Sequence, residues 1–281
     1  MKKISRRSFL AAAAVSAAAL ALTACGGSAS TASSAAASSV AASSEAASTS
    51  AAAAELTTVE AGKLTMATNA TFPPYEMTTD AGTIEGIDVD TAQAIAEKLG
   101  LELQIDDMDF DAALLSVQQG KADIAMAGIT VTDERMAVMS FSDSYATGIQ
   151  SVIVPEGSDI ASVDDLAGKK IGTQRGTTGY IYTSDDYGDD HVTAYDNGAS
   201  AVQALQNGQV DCVVIDAAPA EAYVEANPGL TILDTEYVTE NYAIGVNKDN
   251  AALLDAINGA LAELTADGTL DAIVGKYISA E

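Results

Sequence analysis

Histidine is nearly missing from this chain, with one residue, His191, among 281. A Ser/His/Asp or Cys/His nucleophilic constellation would have to be built on that single imidazole. His191 follows the acidic run Asp185-Asp186-Tyr187-Gly188-Asp189-Asp190, which reads as a solvated turn and lacks the ligand spacing of an EF-hand. Cysteine occurs only at Cys25 and Cys212. With Cys25 expected to carry lipid, as described below, Cys212 is the one thiol left, which excludes a disulfide framework and a cysteine metal cluster. It lies in Val210-Asp211-Cys212-Val213-Val214, which reads as a strand where a small buried apolar residue fits. No metal or other cofactor is expected. Positive charge is scarce too: four of the 13 basic residues fall in the first seven positions, leaving nine against 40 acidic residues, a net of about −31. Such a surface repels a polyphosphate backbone, so nucleic acid is excluded as a partner; it suits a soluble, non-sticking protein.

Long apolar runs are absent apart from residues 9–22, too short and too weakly apolar to span a membrane. With Lys2, Lys3, Arg6 and Arg7 before it, this run reads as an export signal over 1–24. It ends in Leu22-Thr23-Ala24-Cys25, which looks like a lipobox, so Cys25 is expected to carry lipid as the mature N-terminus and anchor the chain outside the cytoplasm. Ser5-Arg6-Arg7-Ser8-Phe9-Leu10 resembles a twin-arginine motif, and the export route stays open. Residues 25–59 are almost entirely Ala, Ser, Thr and Gly, with Glu45 and Glu55 the only charges. Such a segment cannot offset its ordering entropy and reads as a flexible tether of about 30 Å reach.

From residue 60 the pattern alternates. Strands are expected over 63–68, 83–86, 101–105 and 124–126, and helices over 88–99 and 110–119. On the first helix Val89, Ala92, Ile95, Ala96 and Leu99 share one face, and Gly100 ends it. The segment 69–75, with Pro73 and Pro74, reads as a rigid loop. Two apolar runs over 140–154 end at Pro155, and the chain is expected to cross into a second lobe near 147–151. There follow a short capped helix over 162–168, a strand over 170–174, a turn over 175–179, and strands and helices alternating over 192–195, 199–206, 210–215 and 217–225. A strand over 231–233 and a returning strand over 242–246 lead to two closing helices, 251–266 and 269–277, separated by Gly268. This rhythm predicts an α/β fold of mainly parallel sheets flanked by helices.

The two halves echo each other. Residues 115–123 align without a gap with residues 203–211, sharing Gln118 with Gln206, Gly120 with Gly208, and Asp123 with Asp211. Five residues beyond each aspartate comes a candidate contact, Gly128 and Asp216. Ligands of open α/β sheets sit beyond the carboxyl ends of strands, so two such halves facing each other would set Arg135 and Asp216 on opposite walls of one cleft. Arg135 suits a bidentate grip on a small carboxylate or a surface pairing with Asp133 or Glu134. Asp216 suits an ammonium group or the N-cap of the following helix.

The segment 127–145, AGITVTDERMAVMSFSDSY, closely resembles its counterpart in the family-3 solute-binding proteins, the amino-acid receptors of ABC transporters. Gly86-Ile87-Asp88-Val89-Asp90 with Ile95-Ala96 resembles that family's signature, with Thr91 departing where an apolar residue is usual; the likeness runs from Lys63 onward. It implies a two-lobed periplasmic-binding-protein-like fold of type II, with one lobe over 60–149 and 243–281 and the other over 150–242. It further implies capture of a free, polar amino acid by a monomer that closes about strands near 147–151 and 241–245, then delivers to an ABC permease. By motif, Arg135 would hold the ligand carboxylate, helped by Thr130 and Thr178, Gly128 would contact the α-groups, and Asp216 would take the ammonium. Phe72 and Phe110 would sandwich the side chain; read alone, each suits a core. Asn69 falls where some receptors for basic amino acids use an acid, leaving Asp107, Asp109 or Asp143 as substitutes. The rival readings are a cyclohexadienyl- or arogenate-dehydratase-like enzyme on the same fold, with Glu76 or Glu85 as general acid, and a ligand-sensing lipoprotein.

Overall fold

The computed structural model describes residues 56–278; the signal, Cys25 and nearly all of the expected tether lie outside the described residues. The first half of the chain carries β1 (Lys63–Thr68), β2 (Thr71–Phe72), β3 (Glu76–Thr78), β4 (Ile84–Glu85), α1 (Ile87–Leu99), β5 (Glu102–Asp107), α2 (Phe110–Gln118), β6 (Ile124–Ala125), α3 (Asp133–Val138) and the long β7 (Ser140–Pro155). Then come β8 (Ile171–Gln174), α4 (Thr178–Tyr187), β9 (Val192–Tyr195), α5 (Gly198–Gln206), β10 (Cys212–Asp216), α6 (Ala217–Ala226), β11 (Leu230–Ile232), β12 (Val238–Val246), α7 (Ala251–Ala266) and α8 (Thr269–Tyr277).

One sheet runs through the molecule in the order β5-β1-β6-β12-β7-β10-β8-β9, with β11 paired to β7; β2, β3 and β4 form a separate small sheet. Within each half the strands are parallel, β1 with β5 and β6, and β8 with β9 and β10. The two long strands between the halves are antiparallel to each other and to their neighbours, so the sheet is mixed. β12 pairs β6 through Gly245 and Val246, while β7 pairs β10 from Gln150 to Ile153. Both connections between the halves therefore lie side by side, with Thr147 opposite Asn241 and Gly148 opposite Glu240.

The central strands β1, β6, β8 and β10 are buried on both faces, and β6 and β10 accordingly read as apolar runs, while the edge strands β5 and β9 are only half-buried. In β10, Val213 packs in one cluster with Ile153, Val202 and Leu205, and Val214 packs in another with Val152, Leu166 and Ile171. The first half repeats this: Leu64, Met66 and Ile124 pack under α1, α7 and α8, while Ala67 and Ala125 pack under α2 with Phe110 and Val117. Burying each such Val, Leu or Ile contributes about 1.5–3 kcal/mol.

The internal echo has a physical basis. Gly120 and Gly208 both end their helices at positive φ, 65° and 68°, the left-handed conformation that glycine adopts without strain. Asp123 then accepts from the Thr65 N–H at 2.8 Å, and Asp211 from the Lys170 N–H at 2.7 Å. Each aspartate thus clamps the start of the neighbouring parallel strand in its own half.

Two expectations need correction. The turn expected over 175–179 opens a helix, α4, which takes in Asp185, Asp186 and Tyr187 from the segment read as a solvated loop. Thr177 caps it by accepting from the Tyr180 N–H, and Tyr187 is held by donating to Val163 O at 2.9 Å. The segment around the two prolines is not all loop either: the prolines occupy the turn between β2 and β3, with Phe72 paired to Glu76.

Candidate functional site

The C-terminal ends of β1, β6, β8 and β10 converge where the halves meet. A cavity of about 20 Å³ lies there, lined from the first half by Asn69, Phe72, Glu76, Phe110, Gly128, Thr130 and Arg135, and from the second by Gln174, Thr177 and Thr178, with Gln150 and Tyr242 from the connecting strands. That volume holds about one water molecule.

Arg135 sits in the first turn of α3, where Thr132 accepts from its backbone N–H. Its side chain points inward, 8% exposed, so the surface pairing with Asp133 or Glu134 is not what the structure shows. One guanidinium nitrogen donates to Thr130 O at 2.7 Å and another to Gly176 O at 3.1 Å, across the cleft. The guanidinium also lies 5.3 Å from the centre of the Phe110 ring. Burial lowers the Arg135 pKa, and Glu240 is the foremost charge opposing that. A guanidinium has five N–H donors, so donors remain for a further acceptor. Gly176 permits this approach because a Cβ there would sit 1.7 Å from Asp111 Oδ1, on α2.

Of the other sequence candidates, Asn69 is engaged at both ends of its amide. It donates to Met108 O at 2.9 Å and accepts from Thr71 Oγ1 and, across the cleft, from Gln174 Nε2, both at 2.9 Å. Gly128, at φ 55°, donates its N–H to Asp88 at 3.0 Å, and a Cβ there would meet the Phe72 ring at 2.7 Å. Phe72 stacks on Tyr75 with centroids 5.7 Å apart, and Tyr75 meets Tyr242 edge-on at 5.4 Å. Asp216 does not line the cavity; Tyr242 stands there and donates to it at 2.8 Å. Asp216 also accepts from the Ile149 N–H at 2.8 Å and caps α6 through the Ala218 N–H at 3.2 Å. Burial pushes its carboxyl up to about 6. Asp107, Asp109 and Asp143 are exposed and outside the cavity lining.

Two carboxyl groups at the site escaped the sequence reading of the binding set. Glu76 is fully buried in the cavity wall, with neither oxygen hydrogen-bonded to a donor. Burial and the neighbouring Asp88 carboxylate hold its pKa well above the usual range. Asp88 is itself pushed up to about 6 by burial, although Gly128 N–H and the Tyr145 hydroxyl (2.7 Å) donate to it. In its protonated form Glu76 would offer an O–H to the Asp88 carboxylate beside it. Glu240, on β12, accepts at one oxygen from Thr130, Thr178 and Gln150, each at 3.0 Å. Period-two alternation through Glu240 and Tyr242 was the available signal for its burial.

Two hinged α/β halves closing on a polar cavity define a two-lobed solute receptor. The sequence model of the bacterial extracellular solute-binding proteins, family 3, matches residues 64–280. This chain belongs to that family. It is 35% identical over 222 residues to a probable histidine-binding protein of Neisseria gonorrhoeae, covering 77% of this chain and 83% of that one. It is also similar to two structures of an ancestral arginine-binding protein. The one bound to arginine has a TM-score of 0.74 at 42% identity, and the one bound to glutamine 0.75 at 41%; both cover 78% of this chain and 99% of theirs.

Proposed function

We propose that this chain is an extracytoplasmic receptor that captures a free amino acid with a cationic side chain by closing its two lobes, and delivers it to an ABC permease. The observation that carries the ligand class is Glu76: a fully buried carboxyl group without a donor, in the same cavity as Arg135. A cationic side chain supplies the missing partner, while the Arg135 fork takes the α-carboxylate. The arginine complex of the ancestral protein and the name of the probable histidine-binding relative support this reading, and the glutamine complex sets the neutral alternative.

In this reading the backbone N–H groups at Thr130 and at Thr178, in the first turn of α4, assist Arg135. Gly128 contributes its carbonyl, Asp216 takes the ammonium, and Phe72 and Phe110 flank the side chain. Asn69 shapes the wall through Gln174. The lobes comprise 60–149 with 243–281, and 150–242. Contacts such as Arg135 to Gly176 and Asn69 to Gln174 cross between them, so admitting an amino acid requires the walls to part. Binding energy from both walls then selects the closed form that a permease recognises. Residues 1–24 act as the signal peptide, lipid on Cys25 anchors the mature monomer, and 25–59 tether it.

A thermal-shift screen against the twenty amino acids and ornithine tests this. Ligand at about 100 times its dissociation constant adds roughly 2.7 kcal/mol, or on the order of 5–10 °C for a chain of this size. Shifts with arginine, lysine, histidine or ornithine, lost in Arg135→Ala, are expected; no shift with any amino acid sinks the assignment. The raised pKa of Glu76 also suits a general acid, so turnover of prephenate-like substrates, abolished by Glu76→Gln, would replace the receptor by the dehydratase reading.

A further inference from the structure

Glu240 belongs to neither wall of the cavity. It sits on β12, directly across from Gly148 of β7, where the two strands connecting the lobes lie side by side. Its side chain is 4% exposed, and one of its oxygens, Oε2, accepts three hydrogen bonds. The donors come from three places: Thr130 from the first lobe, Thr178 at the start of α4 from the second, and Gln150 from β7. The two threonine oxygens lie 3.4 Å apart around that shared acceptor. The other oxygen, Oε1, is buried with no donor.

We propose that Glu240 is a clasp built into the hinge, holding the two lobes together through the Thr130 and Thr178 hydroxyls independently of any solute. The two hydroxyls come from opposite lobes, so both reach one hinge-borne oxygen only in the closed form. A carboxylate withdrawn from water is costly unless its donors are well placed. Here closure itself delivers the donors, and each of these charge-assisted bonds is stronger than a neutral one. The clasp therefore gives the protein a preference for closure before any ligand contributes.

The same geometry fixes the polarity of the site. A threonine hydroxyl has one proton, and in both residues it is directed at Glu240. Thr130 and Thr178 then present lone pairs, not protons, toward the cavity, and a ligand carboxylate is left to the N–H donors of Arg135 and of the backbone. Glu240 does not line the cavity and acts on a solute only through these two side chains; it is a positioning residue.

The test needs no ligand, so it is independent of which solute the protein carries. Small-angle X-ray scattering of the full chain, without added amino acid, compares wild type with Glu240→Ala, Glu240→Gln and Thr178→Val. The alanine variant is expected to show a larger radius of gyration, because the clasp is gone. The glutamine variant is expected to fall between the two, since its carbonyl oxygen still accepts from both hydroxyls but without the charge. Equal radii for alanine variant and wild type overturn the proposal, as does a glutamine variant no more compact than the alanine one. Should Glu240→Ala fail to fold, Thr178→Val decides: it deletes one arm of the clasp at nearly constant volume, and a radius unchanged from wild type overturns the proposal.

Discussion

The Tyr223 hydroxyl donates to the Thr71 carbonyl at 2.7 Å, linking α6 in the second lobe to β2 in the first. The contact is at the rim of the cleft, beside Phe72, which packs against the cores of both lobes. Neither Tyr223 nor Thr71 lines the cavity, so this bond supports closure without touching a bound solute. Such bonds act on how long the closed form lasts. Replacing Tyr223 with Phe removes one hydrogen bond, a difference of about 0.5–1.5 kcal/mol. Ligand dissociation should accelerate about twofold to tenfold while association is unchanged, as measured by chase of a bound radiolabelled amino acid. An unaltered dissociation rate would remove Tyr223 from the closure machinery.

Arg135→Lys is not a conservative change here. Lysine cannot reach Thr130 O and Gly176 O together and still present a fork. Affinity by calorimetry should fall by well over tenfold, with the preference among amino acids preserved in whatever binding remains. A variant that binds as wild type does would show that the carboxylate is held elsewhere.

Binding of a cationic amino acid should release protons. Glu76 has its pKa held high by burial and by Asp88; a guanidinium or ammonium placed against it favours the ionised form and drives the proton off. Titrations of arginine in buffers of different ionisation enthalpy measure this directly. Glu76→Gln should abolish the buffer dependence and shift preference toward neutral side chains such as glutamine. Buffer-independent heats in the wild type would place the side-chain partner elsewhere.

For Asp216, stability and binding should respond to pH in opposite senses. Its folded value, about 6, lies above the ordinary 3.8. A raised carboxyl pKa stabilises the fold most below about pH 4, and that contribution is lost as pH rises through 6. At about 1.4 kcal/mol per unit, the loss is on the order of 3 kcal/mol. Binding an ammonium requires the ionised form, so affinity should weaken as pH falls through about 6. Asp216→Asn should flatten the change in melting temperature between pH 4 and 7 and leave affinity low throughout; a melting profile identical to wild type would count against the buried carboxylate.

Most of the architecture could be read from residues alone, for identifiable reasons. The helices over 251–266 and 269–277 and the strand over 63–68 fall where expected, because long periodic segments declare their own faces. The echo around Gly120 and Gly208 was visible because both helix ends need the same backbone conformation and both aspartates clamp a strand. The helix Thr178–Tyr187 was not visible. Its residues, TGYIYTSDDY, carry no apolar stripe, and its start depends on the Thr177 cap and on packing from Tyr182 and Tyr187. At the site, Arg135, Thr130, Thr178, Gly128, Phe72, Phe110 and Asn69 do gather around one cavity. Glu76 and Glu240 were harder, because the burial of a carboxyl group follows from how two lobes close; for Glu240 its alternation with Tyr242 was the one local sign.

The path of the chain through the lobes has a consequence for its synthesis. The second lobe is one continuous stretch between β7 and β12, whereas the core of the first draws Leu253, Ile257, Leu261, Leu264 and Leu270 from α7 and α8. A ribosome releases the inserted lobe whole while the enclosing lobe still lacks two of the helices that cover its sheet. Leu64, Met66 and Ile124 then have no complete apolar partner surface until α7 and α8 have been made. The lobe begun first is therefore finished last, and the nascent chain stays without its full native core until translation of these helices ends.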